Sequence, residues 1–157
     1  FCLSRGLGDV YKRQPIGQGY VLTTPLQIAV YVSALLNGGD LLKPQLVDTD
    51  PKTVTGHVPA SREPLRYIVE CMRRTASGGT ARVVGRGDAI MGGKTGTAQT
   101  GQFDADGTER KNLWFAGFYP AEKPRWTVIV LQDGQTETAY SSAAIFARLC
   151  AMLRTLT

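Results

Sequence analysis

The sequence predicts an α+β domain in which helices pack on a small antiparallel sheet. Two capped helical segments fill the first half, and three β-rich segments joined by polar connections follow. An apolar helical segment closes the chain.

The first helix is TTPLQIAVYVSALLNGG, residues 23–39. Thr24 suits the N-cap, Pro25 the first helical position, and Gln27 completes a capping box. Leu26, Ala29, Val30, Ser33 and Leu36 recur at helical spacing, and Asn37-Gly38-Gly39 stops the run. Residues 41–59, with Pro44, Pro51 and Gly56, read as an exposed excursion holding a short strand at 45–47. The second helix is SREPLRYIVECMRRTASGG, with Ser61 as cap. Its buried stripe is Leu65, Ile68, Val69 and Met72, and Gly78-Gly79 ends it. A helical turn is expected at 80–84, then strands at 89–99, 113–119 and 126–132. A polar loop separates the first two strands, and the tighter Tyr119–Pro124 connection makes an antiparallel meander. Residues 139–156 form the last helix, with Ala143, Phe146, Ala147, Cys150 and Leu153 on one face.

Composition narrows the function. The chain of 157 residues is 43% hydrophobic and 20% charged, which suits a packed core and excludes a disordered or fibrous chain. No apolar run is long enough to span a bilayer, and no basic stretch leads into an apolar leader. The chain opens on Phe1 rather than Met, so its beginning is expected to be missing. The net charge of +5 is scattered, and its densest cluster, Arg73-Arg74, belongs to one solvated helix face. Nucleic acid is therefore not an expected partner. Cys2, Cys71 and Cys150 show no metal-ligand spacing and no disulfide framework, and no cofactor is implied. His57, in a polar Pro-flanked stretch, reads as an exposed structural residue.

GGKTGTAQT concentrates a cation, hydroxyls and glycines. A phosphate-binding P-loop would use Gly93-Lys94-Thr95, but Asp88 stands where its first glycine belongs. The residues after Thr95 also read as strand or loop, whereas a P-loop lysine opens a helix. The other chemistry is recognition of an anionic peptide along a strand edge. Alternation puts Lys94 and Gly96 on one face, Thr95 and Thr97 on the other. Gly96 leaves room for close backbone approach, while the lysine and hydroxyls hold a carboxylate. Taken alone, K-T-G is a common tripeptide, and a plain glycine-rich edge strand accounts for it.

In context it does more. Gly-Lys-Thr-Gly-Thr-Ala-Gln resembles the K-T-G box of penicillin-binding proteins, the third of three boxes forming an acyl-serine transpeptidase site. IGQGYVLTTPLQIA, LLNGGDLLKPQLV, SGGTARVVG and LWFAGFYPAEKPRWTVIVL resemble further family segments in family order, from Pro15 to the C-terminus. GQGY followed by TPLQ is most similar to class B enzymes of the penicillin-binding protein 2 type. The resemblance implies a transpeptidase fold shared with serine β-lactamases, and a reaction that cross-links peptidoglycan stem peptides and is trapped by β-lactams. Lys94 would supply positive potential to the substrate carboxylate and assist proton transfer. Thr95 and Thr97 would hydrogen-bond that carboxylate and the substrate backbone, with the Thr97 N–H as one oxyanion-hole donor and Gly96 keeping the strand accessible. The intact parent would face outside the cytoplasm on a membrane anchor, among cell-wall synthesis partners.

Two family boxes are missing. None of Ser4, Ser33, Ser61, Ser77, Ser141 and Ser142 has Lys three residues on, and none begins Ser-x-Asn. Both boxes would lie upstream of Pro15, so residues 15–157 are expected to be the C-terminal part of a transpeptidase domain, inactive alone. A β-lactamase or penicillin-sensing domain of the same fold, or a non-catalytic cell-wall-binding module, remains open. Ser4 to Gln14, SRGLGDVYKRQ, is identical to one reading frame of a transposase-type sequencing adapter. Residues 1–14 are accordingly expected to be non-native and disordered. Arg5, Lys12 and Arg13 against Asp9 then account for two of the five net positive charges.

Overall fold

The computed structural model describes residues 22–47, 51–79, 81 and 91–156. The adapter-like segment, the GQGY loop, most of the expected turn at 80–84 and the expected strand start at 89–90 lie outside them.

Helix α1, Pro25–Asn37, begins with the expected reciprocal cap. The Thr24 hydroxyl accepts from the Gln27 N–H at 3.2 Å, and the Gln27 side-chain oxygen accepts from the Thr24 N–H at 2.8 Å. Gly38 ends it at φ +93°, a left-handed conformation that favours glycine. The buried face differs from the expected one. Val32, Ala34 and Leu35 are buried and Ile28 packs beside them, whereas Leu26 is exposed. This helix is apolar nearly all round, so spacing alone does not select the inward face.

Strands β1, Asp40–Leu42, and β2, Val54–His57, form an antiparallel arm. The strand expected at 45–47 is absent, since pairing starts at the helix end instead. There the Asn37 amide donates to the Asp40 carbonyl, and His57 Nδ1 lies 3.0 Å from the Asp40 carboxylate across the first register pair. Helix α2, Arg62–Gly78, follows Ser61, which takes the N-cap backbone conformation but makes no side-chain cap bond. Glu63 supplies negative charge to that first turn instead. Leu65, Val69, Met72 and Ala76 are buried, at helical spacing, while Ile68 lies at the margin, 38% exposed. On the outer face Arg74 bonds Glu70 at 3.0 Å and holds its carboxylate below the ordinary range.

The sheet contains β3, Gly92–Phe103, β4, Glu109–Tyr119, and β5, Trp126–Gln135, antiparallel in that order. Each strand runs past one expected end, β3 to Phe103, β4 from Glu109 and β5 to Gln135, while Met91, expected within the first strand, precedes it. The region expected as a polar loop is mostly ladder, because its polar side chains pair across the strands. Thr100 donates to the Arg110 carbonyl at 2.6 Å, Gln99 to Glu109 at 2.9 Å, and Arg110 to Asp104 at 2.6 Å. A register shift between Gln99 and Phe103 accommodates the twist. Helix α3, Ser142–Leu153, starts later than expected, because the Ser141 hydroxyl caps it by accepting from the Ala144 N–H; a 3₁₀ turn, Arg154–Leu156, ends it.

Helices cover both faces of this sheet. Phe118 joins Val32, Leu35, Leu65, Val69 and Met72 on the α1–α2 side. Phe115 packs against Phe146 of α3 on the other, with ring centroids 4.4 Å apart. Burying each such ring contributes about 2–3 kcal/mol, so the two phenylalanines tie three helices to one strand.

Cys150 is fully buried in the α3 layer, and burial pushes its thiol up from 9.0 to about 12. The folded state therefore holds this proton more tightly, so its contribution is intact below about pH 9 and fades as pH rises toward 12. Cys71 is exposed on α2. In a Cys2→Ser background, a thiol reagent at pH 8 should modify Cys71 and leave Cys150 protected until denaturant is added. Equal reactivity in the native state would contradict this packing.

Candidate functional site

The four candidate residues lie consecutively on β3, one of the two outer strands of the sheet among the described residues. In register, Lys94 stands opposite Ala116, Thr95 opposite Phe115, Gly96 opposite Trp114 and Thr97 opposite Leu113. Opposed residues of an antiparallel pair share a face. Lys94 and Gly96 therefore lie on the α1–α2 face, Thr95 and Thr97 on the α3 face.

The backbone has two sides as well. The Gly93 carbonyl accepts from the Thr75 hydroxyl of α2 at 2.7 Å, and the Lys94 ammonium donates to the Thr95 carbonyl at 2.7 Å. Both carbonyls thus turn away from β4, toward the outer edge. By alternation the backbone N–H and C=O groups of Thr95 and Thr97 turn the same way. Helix α2 caps this edge at Gly93, and the next residue is Lys94, an exposed cation. An anionic group reaching this edge meets the ammonium, two threonines and outward N–H groups within four residues. Hydrogen bonds between a charged donor and a carboxylate are stronger than those between neutral groups, so the arrangement is chemically suited to a carboxylate. Lys94 lies within a strand rather than at a helix start, which removes the phosphate-cradle geometry of a P-loop.

The glycines around it differ in purpose. A Cβ at Gly92 would fall inside the ring of Phe118, and one at Gly93 inside that of Phe115. At Gly117 it would meet the Gly92 carbonyl oxygen at 2.6 Å and the Phe146 ring at 2.8 Å. These three positions are glycine because rings cross the sheet there. At Gly96 the nearest atom is the Trp114 Cβ at 3.4 Å, so packing among the described residues does not demand glycine.

Three of the described serines are engaged elsewhere. Ser33 donates to Thr127 at 3.1 Å, Ser141 caps α3, and Ser142 Oγ lies 2.7 Å from Gln132 and 2.9 Å from the Leu113 carbonyl. Among the described residues no three His, Cys, Asp or Glu side chains are grouped to hold a metal ion, and no helix is long and apolar enough to cross a membrane. Thr75, which no sequence pattern singled out, bonds the strand immediately before Lys94.

Comparison with known proteins bears on the family and the fold. Residues 11–151 match the family described as penicillin binding protein transpeptidase domain. Penicillin-binding protein H of Bacillus subtilis (strain 168) is 32% identical over 139 residues, covering 76% of this chain and 19% of that protein. The chain spans about a fifth of the length of the curated relatives it matches. The Helicobacter pylori penicillin-binding protein PBP2, solved in complex with MreC, superposes with a TM-score of 0.74 at 25% identity, covering 92% of this chain and 27% of that one. Penicillin-binding protein A of M. tuberculosis, solved as an imipenem acyl-enzyme complex, gives a TM-score of 0.70 at 23% identity, covering 90% and 33%.

The glycine contrast is testable in the chain itself. Gly93→Ala should cost about 1–3 kcal/mol through overpacking against Phe115. Gly96→Ala, at an exposed edge, should change stability by less than about 0.5 kcal/mol. Urea midpoints measure both, and equal losses would show that Gly96 is a packing glycine like the others.

Proposed function

The chain belongs to the penicillin-binding protein transpeptidase domain family, and from that premise we propose that it supplies the third box of a peptidoglycan D,D-transpeptidase. The single observation that carries this reading is the position of Lys94. It opens the accessible edge of β3 at the residue after α2 ends its cover, with the backbone of Thr95 and Thr97 turned outward beside it.

In the intact enzyme a serine of an upstream Ser-x-x-Lys box attacks the carbonyl of the D-Ala-D-Ala bond of one stem peptide. The terminal D-Ala leaves, and an amine of a neighbouring stem attacks the acyl-serine and releases the enzyme. A β-lactam enters the same first step: the serine attacks its lactam carbonyl, the ring C–N bond opens with the nitrogen taking a proton, and the serine remains acylated. The stem peptide lies along the β3 edge as an added strand, with main-chain bonds giving affinity. Lys94 holds its terminal carboxylate by charge and assists proton transfer. The Thr95 and Thr97 hydroxyls complete the carboxylate's bonds, and Gly96 lets the substrate backbone come close. The outward N–H of Thr97 serves as one of two oxyanion donors, a kind of contact worth about 3 kcal/mol in the transition state.

Residues 15–157 contain no Ser-x-x-Lys and no Ser-x-Asn. On this reading they bind and polarise but do not acylate. The solved complex of Helicobacter pylori PBP2 with MreC supports a parent that works among cell-wall partners. We place that parent at the outer face of a bacterial membrane, held by an anchor encoded upstream.

Two outcomes follow. The 157-residue chain incubated with fluorescent penicillin should take no covalent label; robust labelling would sink the division of labour proposed here. In the full-length protein, Lys94→Ala should slow acylation about 100-fold or more while leaving the thermal midpoint close to wild type. Near-normal acylation would refute the role given to Lys94.

A further inference from the structure

We propose that Thr75 is a positioning residue for the Lys94 strand: its hydroxyl pins the Gly93 carbonyl and so sets where the accessible edge of β3 begins. The inference rests on the transpeptidase reading above and adds a residue outside the K-T-G box to it.

Thr75 lies in the last turn of α2. A helical threonine ordinarily turns its hydroxyl back on carbonyls of its own helix. Here Oγ1 does lie 3.0 Å from the Cys71 carbonyl oxygen and 2.9 Å from that of Met72. Its shortest contact, 2.7 Å, is nevertheless to Gly93 of β3. A hydroxyl has one proton to give, and the shortest geometry directs it to the strand.

The rest of Thr75 is used as fully. Its carbonyl accepts from the N–H groups of both Gly79 and Ala81, each at 3.1 Å. Gly79 comes so near that a Cβ there would meet Thr75 Cα at 2.9 Å, which accounts for a glycine in SGG. Ala81 is fully buried in the cluster that holds Met91 and Phe115. One residue therefore joins the end of α2, the turn that carries Ala81 into the core, and the strand that continues into Lys94.

The strand needs such a pin. Among the described residues β3 has a ladder partner on one side, β4, and the rings over Gly92 and Gly93 press it onto that partner without bonding its outer edge. Gly93 is buried, so its outward carbonyl would lose a bond that water cannot easily replace. Without the hydroxyl, the start of β3 gains freedom where Lys94 and the Thr97 N–H must be held for the reaction.

Thr75→Val removes the hydroxyl and keeps the shape, whereas Thr75→Ser keeps the hydroxyl and loses a methyl. In the 157-residue chain, amide hydrogen exchange at Lys94 and Gly96 should rise about tenfold in Thr75→Val, with the amides of β5 unchanged and Thr75→Ser close to wild type. A rise spread evenly over the sheet, or an equal rise in Thr75→Ser, would reduce Thr75 to ordinary packing and overturn the proposal. In the full-length protein, Thr75→Val should lower the second-order rate of penicillin acylation about tenfold, and Thr75→Ser should restore it to within about twofold. If Lys94→Ala is impaired and Thr75→Val acylates as wild type, the positioning role fails alone. If the wild-type full-length protein does not acylate, the transpeptidase reading fails, and the exchange data still decide the pin.

Discussion

Two phenylalanine rings crossing a sheet at glycines set the rest of this structure. Phe115 and Phe118 stand on opposite faces of β4, and each ring lies over a glycine of the neighbouring β3 strand. Gly117 between them admits Phe146 of α3 from one side. Interiors pack as densely as organic crystals, so these contacts leave β3 little freedom to shift along or across β4. The register places Lys94 opposite Ala116, at a defined face and depth. The apolar core thus aligns a polar strand that has no core residues of its own beyond Gly93.

Exposure of that strand is controlled as well. A bare sheet edge invites pairing with any other strand, and native proteins usually blunt or cover it. Here α2 covers the β3 edge at Gly93 and a lysine stands at the next position. Lys94 folds its ammonium onto the Thr95 carbonyl, satisfying an outward acceptor with a charge that a better anionic partner can draw away. On the proposed reading, the edge is guarded against casual pairing and would receive an anionic peptide. Beyond Gln99 the hairpin holds itself through Thr100, Glu109, Arg110 and Asp104, so the tip needs no support from the helices.

What was legible in the sequence was local chemistry. The Thr24–Gln27 cap, the stop at Gly38 and the alternation through Lys94-Thr97 depend on near neighbours, and each can be read from spacing. The inward face of α1 could not, because Leu26 and Val32 are both apolar and only tertiary contact separates them. The β3–β4 hairpin read as a loop because its residues are polar, yet cross-strand pairs such as Gln99 with Glu109 satisfy them in a ladder. The glycines of GGKTG looked alike in sequence, but the aromatic residues that distinguish Gly93 from Gly96 come from a strand more than ten residues away. Thr75 carried no signal at all, since a threonine near a helix end is unremarkable until its hydroxyl is seen on another element.

The central proposal is a separation of roles: this chain would orient and polarise the substrate, and a serine of a Ser-x-x-Lys box outside residues 15–157 would react. Peptide mapping by mass spectrometry of the full-length protein after penicillin treatment tests that claim most directly. The account predicts a single penicilloyl adduct on a serine with lysine three residues on, upstream of Pro15. An adduct on any residue between Pro15 and Thr157 would contradict it.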